Sequence, residues 1–138
     1  RKQLTRMMAI IANNGLDVYP RLVSEIIDNQ GRSVRRYPAY TGSRVMQPAV
    51  ARRLKTMLAS VVESGTGQVV QSSYFTAIGK TGTAETSRQN ISHSWFAGIA
   101  EINGKQFAAT VFLEDSRDSS AAAIFRSVME QIARQAKD

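Results

Sequence analysis

The chain has 138 residues, 43% of them apolar and 21% charged, the proportions of an ordinary folded domain rather than of a disordered or fibrous one. Zero cysteines and a single histidine, His93, exclude thiolate catalysis, disulfide frameworks and Cys/His zinc sites, and no apolar run approaches the ~18 residues of a bilayer span. Eighteen Lys and Arg against 11 Asp and Glu leave a net charge of +7, which favours anionic partners; nucleic acid is not expected among them, because no aromatic residues alternate with the arginines to stack bases.

Leu4, Met7, Met8 and Ile11 follow the i, i+3, i+4, i+7 spacing of an amphipathic helix, stopped by Asn13-Asn14-Gly15. That helix has no N-cap, and the chain opens on Arg1 without an initiator Met or a leader, so a piece of a longer protein is expected. Residues 16–40 read as short extended pieces: Leu22 to Asp28, a turn at Asn29-Gln30-Gly31, then Ser33 to Tyr37, a hairpin bracketed by Pro20 and Pro38. Thr41-Gly42-Ser43 reads as loop. Pro48 suits the first turn of a second helix, whose apolar stripe is Val50, Leu54, Met57, Leu58 and Val61 and whose stop is Ser64-Gly65-Thr66-Gly67.

A strand is predicted from Phe75 to Thr81, with a polar loop over Ala84 to Asn90. Ser92 to Ile102 and Lys105 to Glu114 form a hairpin through Asn103-Gly104, the strongest two-residue turn signal. Asp118 or Ser119 is the expected cap of a last helix with the stripe Phe125, Val128, Met129, Ile132 and Ala136. Three main strands flanked by three helices make the class α+β, an antiparallel sheet with helices packed on it.

The chemistry concentrates in Gly79-Lys80-Thr81-Gly82-Thr83. Alternation puts Lys80 and Gly82 on one side of the strand, Thr81 and Thr83 on the other. Gly82 leaves room for a backbone or ligand to come close, and a cation with hydroxyls and strand amides suits a carboxylate. A phosphate loop does not fit, because the residue five before Gly79 is Tyr74 where that motif needs Gly. Read alone, Lys80 also fits an edge-strand lysine that blocks sheet pairing, and Thr81 and Thr83 fit ordinary strand formers. His93 reads as structural or rim, with no Asp or second His at triad or ligand spacing. Glu85 reads as a solvated carboxylate. Trp95 and Phe96 fall on opposite faces, and Met7, Met8, Met57 and Met129 read as core filler.

Lys80-Thr81-Gly82-Thr83-Ala84-Glu85, followed by His93-Ser94-Trp95-Phe96-Ala97-Gly98, resembles the C-terminal part of a penicillin-binding protein transpeptidase domain of the class B type. Ala9-Ile10-Ile11-Ala12-Asn13-Asn14-Gly15 is similar to that family's AAIANGG helix, and Val61-Val62-Glu63-Ser64-Gly65-Thr66-Gly67 to its VV…GTG segment. The likeness covers almost the whole chain in the family's order. It implies the C-terminal portion of a serine β-lactamase/transpeptidase-like fold. The family's other two motifs, Ser-x-x-Lys and Ser-x-Asn, do not occur. Lys55, Lys80, Lys105 and Lys137 have Arg52, Ala77, Ile102 and Arg134 three residues earlier, and no Asn has a Ser two residues before it.

The resemblance therefore implies that residues 1–138 are the C-terminal half of the domain, with the nucleophile in an absent N-terminal half. The parent would be a serine D,D-transpeptidase that cross-links peptidoglycan. A serine attacks the D-Ala-D-Ala bond of a stem peptide, the terminal D-Ala leaves, and an amine of a neighbouring stem takes the acyl group. β-Lactams bind the same site. Lys80 and Thr83 are the implied catalytic residues, Lys80 through its positive potential and Thr83 through a backbone N–H that is one of two oxyanion donors. Lys80, Thr81, Gly82 and Thr83 line the implied substrate and β-lactam subsite. Neither cofactor nor metal is implied. The isolated chain is expected to be inactive, and the parent to be anchored in the cytoplasmic membrane with this domain on the outer face. The alternative is a non-catalytic sensor or scaffold module of the same fold. In the family an N-terminal strand pairs with the strand here spanning Lys105 to Glu114. The exposed edge is expected to recruit the missing half or to dimerise the isolated chain, an expectation that a stable monomer in sedimentation at high concentration would contradict.

Overall fold

The structure is a computed structural model describing residues 2–85, 91–116 and 120–136. Its elements in chain order are α1 (Lys2–Ala12), β1 (Leu16–Val18), β2 (Glu25–Ile27), β3 (Ser33–Arg36), β4 (Thr41–Arg44), α2 (Pro48–Ser64), a 3-10 turn (Gln68–Val70), β5 (Thr76–Glu85), β6 (Ser92–Ile102), β7 (Lys105–Leu113) and α3 (Ala121–Gln135). The α+β reading holds: β5, β6 and β7 form an antiparallel sheet in that order, with helices on both faces.

Sheet alternation sorts the core into two halves. Phe96, Ala100 and Ile102 pack with Val70, Phe125 and Met129 on the α3 side. Ala97 and Ile99 pack with Met8 and Ile11 on the side of α1 and α2. Trp95 and Phe96 accordingly face opposite ways, Phe96 meeting the Phe125 ring edge-on at 4.8 Å between centroids, Trp95 packing with the α1 and α2 half. Burying two such rings completely is among the larger single contributions to a domain of this size.

Local signals set the turns. Asn103 and Gly104 both take positive φ, 50° and 75°, as a type I′ hairpin turn needs. Asn14 at φ 54° and Gly15 at 90° stop α1, the Gly15 amide bonding back to the Ile10 carbonyl. Pro48 opens α2.

Several boundaries differ from expectation. The stretch read as loop at Thr41-Gly42-Ser43 is β4, paired with β1 in a ribbon, while β2 and β3 make the hairpin expected between Pro20 and Pro38. Both β2 and β3 are exposed along their whole length, and nearby Leu22 is 94% exposed; in the β1–β4 pair the buried residue of β1 is the polar Asp17, which gave the sequence no apolar signal there. β5 runs to Glu85 rather than ending at Thr81. Gly82, Thr83, Ala84 and Glu85 pair with Trp95, Ser94, His93 and Ser92, so partner pairing extends the strand beyond its apolar part. Ala84 and Glu85 thus belong to β5, while residues 86–90 of the expected loop lie outside the described residues. The α3 cap is Ser120, whose hydroxyl accepts from the Ala123 amide at 3.1 Å; Asp118 and Ser119 lie outside the described residues.

The helix stripes were partly misassigned. In α3 the buried line is Ala121, Phe125, Met129 and Ala133, with Ala122, whereas Val128 and Ala136 are exposed. In α2 the buried residues are Ala51 and Val62, and Val50 and Met57 face outward. Small alanines take several of the inward positions, and a scale of hydrophobicity ranks them below their larger apolar neighbours. Met8 and Met129 are core, but Met7 and Met57 are exposed.

The Arg6 guanidinium clamps the buried Asp17 through two contacts of 2.9 and 2.5 Å, joining α1 to β1. Hydrogen bonding from Arg6 holds the Asp17 carboxyl below its ordinary range. β7 bonds to β6 on one side, and among the described residues no strand continues the sheet beyond β5 or β7.

Candidate active site

The backbone of β5 decides which groups its free edge offers. A Cβ built on Gly79 would stand 2.7 Å from the Ala97 carbonyl oxygen, and one on Gly98 2.8 Å from that of Ile78. Both carbonyls therefore point into the seam between β5 and β6. That makes Gly79 and Gly98 a pair that exchanges no backbone bonds, and status alternates along an antiparallel ladder. Thr81, opposite Phe96, and Thr83, opposite Ser94, share the status of Gly79. Their amides and carbonyls accordingly face away from β6, toward the open edge.

The side chains flank this edge from both faces. Lys80 lies on the α1 and α2 side and is exposed; its Nζ donates to the Thr81 carbonyl at 2.7 Å. With Leu54, Met57, Leu58, Met46 and Trp95 it lines a hollow of about 230 Å³ whose other walls are apolar residues of α1. Half-buried Thr81 lies on the opposite face, its hydroxyl 2.7 Å from that of Thr66. Thr83 is exposed. A Cβ on Gly82 would fall inside the Trp95 indole. The space kept free by that glycine is filled by a side chain of the next strand, not left for a ligand or a backbone as the sequence alone had it.

The four residues picked from the sequence thus line one strand edge, with a cation, two hydroxyls and two outward amides. Such an edge suits an extended ligand: backbone groups pair with it as an added strand does, and a carboxylate finds charge and donors together. His93 is not part of it. Its ring packs 5.5 Å from that of Phe112, and its Nδ1 accepts weakly from the Asp115 amide at 3.4 Å, contacts of the structural kind. A second hollow, about 410 Å³, lies beside α1 and is lined by Lys2, Arg6, Tyr19 and Ala108 among others; the guanidinium there is committed to Asp17. Among the described residues no cluster of three His, Asp or Glu suited to a metal occurs.

Sequence reasoning undervalued two residues. Thr66 was read as part of a helix stop; the signal lay in its place between two glycines. Trp95 was assigned to packing alone, yet it is a wall of the hollow that Lys80 borders.

Residues 2–130 match the family model described as penicillin binding protein transpeptidase domain. The chain is 29% identical over 147 aligned positions to penicillin-binding protein PbpB of Mycolicibacterium smegmatis, an alignment covering 91% of this chain and 22% of that protein. The fold is similar to the D,D-transpeptidase domain of a peptidoglycan glycosyltransferase from Eggerthella lenta, with a TM-score of 0.82 and 25% identity over 94% of this chain and 31% of that one. It is also similar to penicillin-binding protein A from M. tuberculosis, solved as an imipenem acyl-enzyme complex, with a TM-score of 0.78 and 26% identity over 91% of this chain and 29% of that one. The chain spans between a fifth and a third of the length of these relatives.

Proposed function

The chain belongs to the penicillin-binding protein transpeptidase domain family, of the class B type, and from that premise we propose that it forms one wall of a peptidoglycan D,D-transpeptidase site. The observation that carries this reading is the open edge of β5, where outward Thr81 and Thr83 amides stand beside Lys80 and two hydroxyls. In this proposal residues 1–138 are the C-terminal half of the domain. An N-terminal half brings the Ser-x-x-Lys and Ser-x-Asn residues to the β5 edge and adds a strand to the outer edge of β7.

The division of labour follows from the groups available. The substrate's D-Ala-D-Ala end, or a β-lactam in its place, lies extended along β5. Its terminal carboxylate takes hydrogen bonds from the Thr81 and Thr83 hydroxyls and sits in the positive potential of Lys80. A serine of the other half attacks the scissile carbonyl, and its proton passes to a base of that half. The oxygen of the tetrahedral intermediate receives the Thr83 amide and one amide from the other half. Removing one such donor lowers the rate by about 10²–10³. Collapse breaks the peptide bond and expels D-Ala, whose amine takes the proton back from that base; an amine of a second stem then attacks the acyl-serine ester and releases the serine. Without the nucleophile the covalent route is closed, so the isolated chain is inactive. Among the described residues no helix is long and apolar enough to cross a membrane; the proposed anchor and the outer-face location belong to the longer protein.

Labelled penicillin tests the reading. The full-length parent is expected to take up one covalent label on a serine outside these 138 residues, and Lys80→Ala to lower its acylation efficiency by about 10²-fold or more, the scale of one lost electrostatic donor. A parent that stays unlabelled, or a Lys80→Ala variant labelled as fast as wild type, overturns it.

A further inference from the structure

A side-chain hydrogen bond reaches the β5 motif from the loop that ends α2. Gly65 and Gly67 both donate their amides to the Val61 carbonyl, at 3.1 and 3.0 Å. A Cβ on either would stand 2.9 or 3.1 Å from that same oxygen, so a side chain at these positions would push the loop off the helix end. The next two carbonyls are also taken: Gln71 Nε2 donates to Val62 at 2.9 Å and Gln68 Nε2 to Glu63 at 3.2 Å. The loop is thereby tied to three successive carbonyls of α2, and the residue between its glycines, Thr66, holds its hydroxyl 2.7 Å from that of Thr81.

We propose that Thr66 is a positioning residue for ligand carboxylate binding, acting through the Thr81 hydroxyl; this rests on the transpeptidase reading above. A hydroxyl has one proton and two acceptor lone pairs. If Thr81 gave its proton to Thr66, it would turn lone pairs toward an anionic ligand and repel it. When a carboxylate is bound, Thr81 must donate to it, so the 2.7 Å contact is then made with Thr66 as donor. Thr66 thereby fixes the Thr81 rotor in the one orientation that serves an anion, and the backbone ties of its loop fix Thr66 in turn. Thr66 itself is exposed, where a hydroxyl pair adds little to folding, so its effect should appear in binding.

The test uses the full-length parent and two probes, a penicillin with its free carboxylate and the methyl ester of the same penicillin. Thr66→Val is expected to lower the acylation efficiency of the acid by roughly three- to tenfold, the range of one net hydrogen bond, and to leave the ester unchanged with an unaltered melting temperature. Thr66→Ser should restore the acid rate. Equal rates for wild type and Thr66→Val on the acid overturn the proposal, as does an equal loss on acid and ester, which marks general disorder of the edge. Wild type that reacts with neither probe overturns the transpeptidase reading itself, and this proposal with it.

Discussion

The two faces of the β5–β6–β7 sheet are built from the same strands but finished differently. On the α3 face Phe96, Phe125 and Val70 are completely buried. On the opposite face, α1 and α2 leave Met7 and Met57 exposed, at 43% and 66%, around the hollow that Lys80 and Trp95 border. Strand alternation makes this possible, since each residue serves one face only. One face can be spent on stability while the other keeps the shape and polarity that a ligand or the rest of a domain requires. The edge of β5 lies between them, with Thr81 joined to the α2 loop and Lys80 leaning over the hollow.

Substitutions on the two faces sharpen this contrast. Phe125→Ala should be the most damaging, lowering stability by about 3–5 kcal/mol through lost burial and the cavity left under Phe96; a shift in the denaturant midpoint measures it. Gly82→Ala comes next, at about 1–3 kcal/mol, because the new methyl must displace the Trp95 indole. Trp95 is the chain's one tryptophan, so a changed emission maximum should accompany that loss. Met57→Ala should move the midpoint least, by less than about 1 kcal/mol, since its side chain is already in solvent. A Met57 variant as unstable as the Phe125 variant would mean that both faces are closed, and the contrast would fall.

Legibility followed the same division. The Asn103-Gly104 hairpin, the α1 stop and the Pro48 helix start were readable because each depends on the conformational limits of two or three neighbouring residues. Lys80, Thr81, Gly82 and Thr83 could be picked out as a candidate set because charge and hydroxyls are local properties, and the structure brings them to one strand edge. The β2–β3 hairpin was readable from its turn residues, but the β1–β4 ribbon was missed, since its strands are three and four residues long and the buried residue of β1 is the polar Asp17. The inward faces of α2 and α3 were misjudged where Ala51, Ala121, Ala122 and Ala133 take the buried places.

What the amino-acid order determined by itself was the class of fold, the turns and the chemical kind of the β5 segment, because these rest on backbone preference and side-chain type. Only the tertiary structure decided that the Thr81 and Thr83 amides face outward, that Trp95 fills the space above Gly82, and that Thr66 meets Thr81 across fifteen residues. Each of those depends on strand register or on the path of a distant loop, and neither is specified by the residues on which it acts.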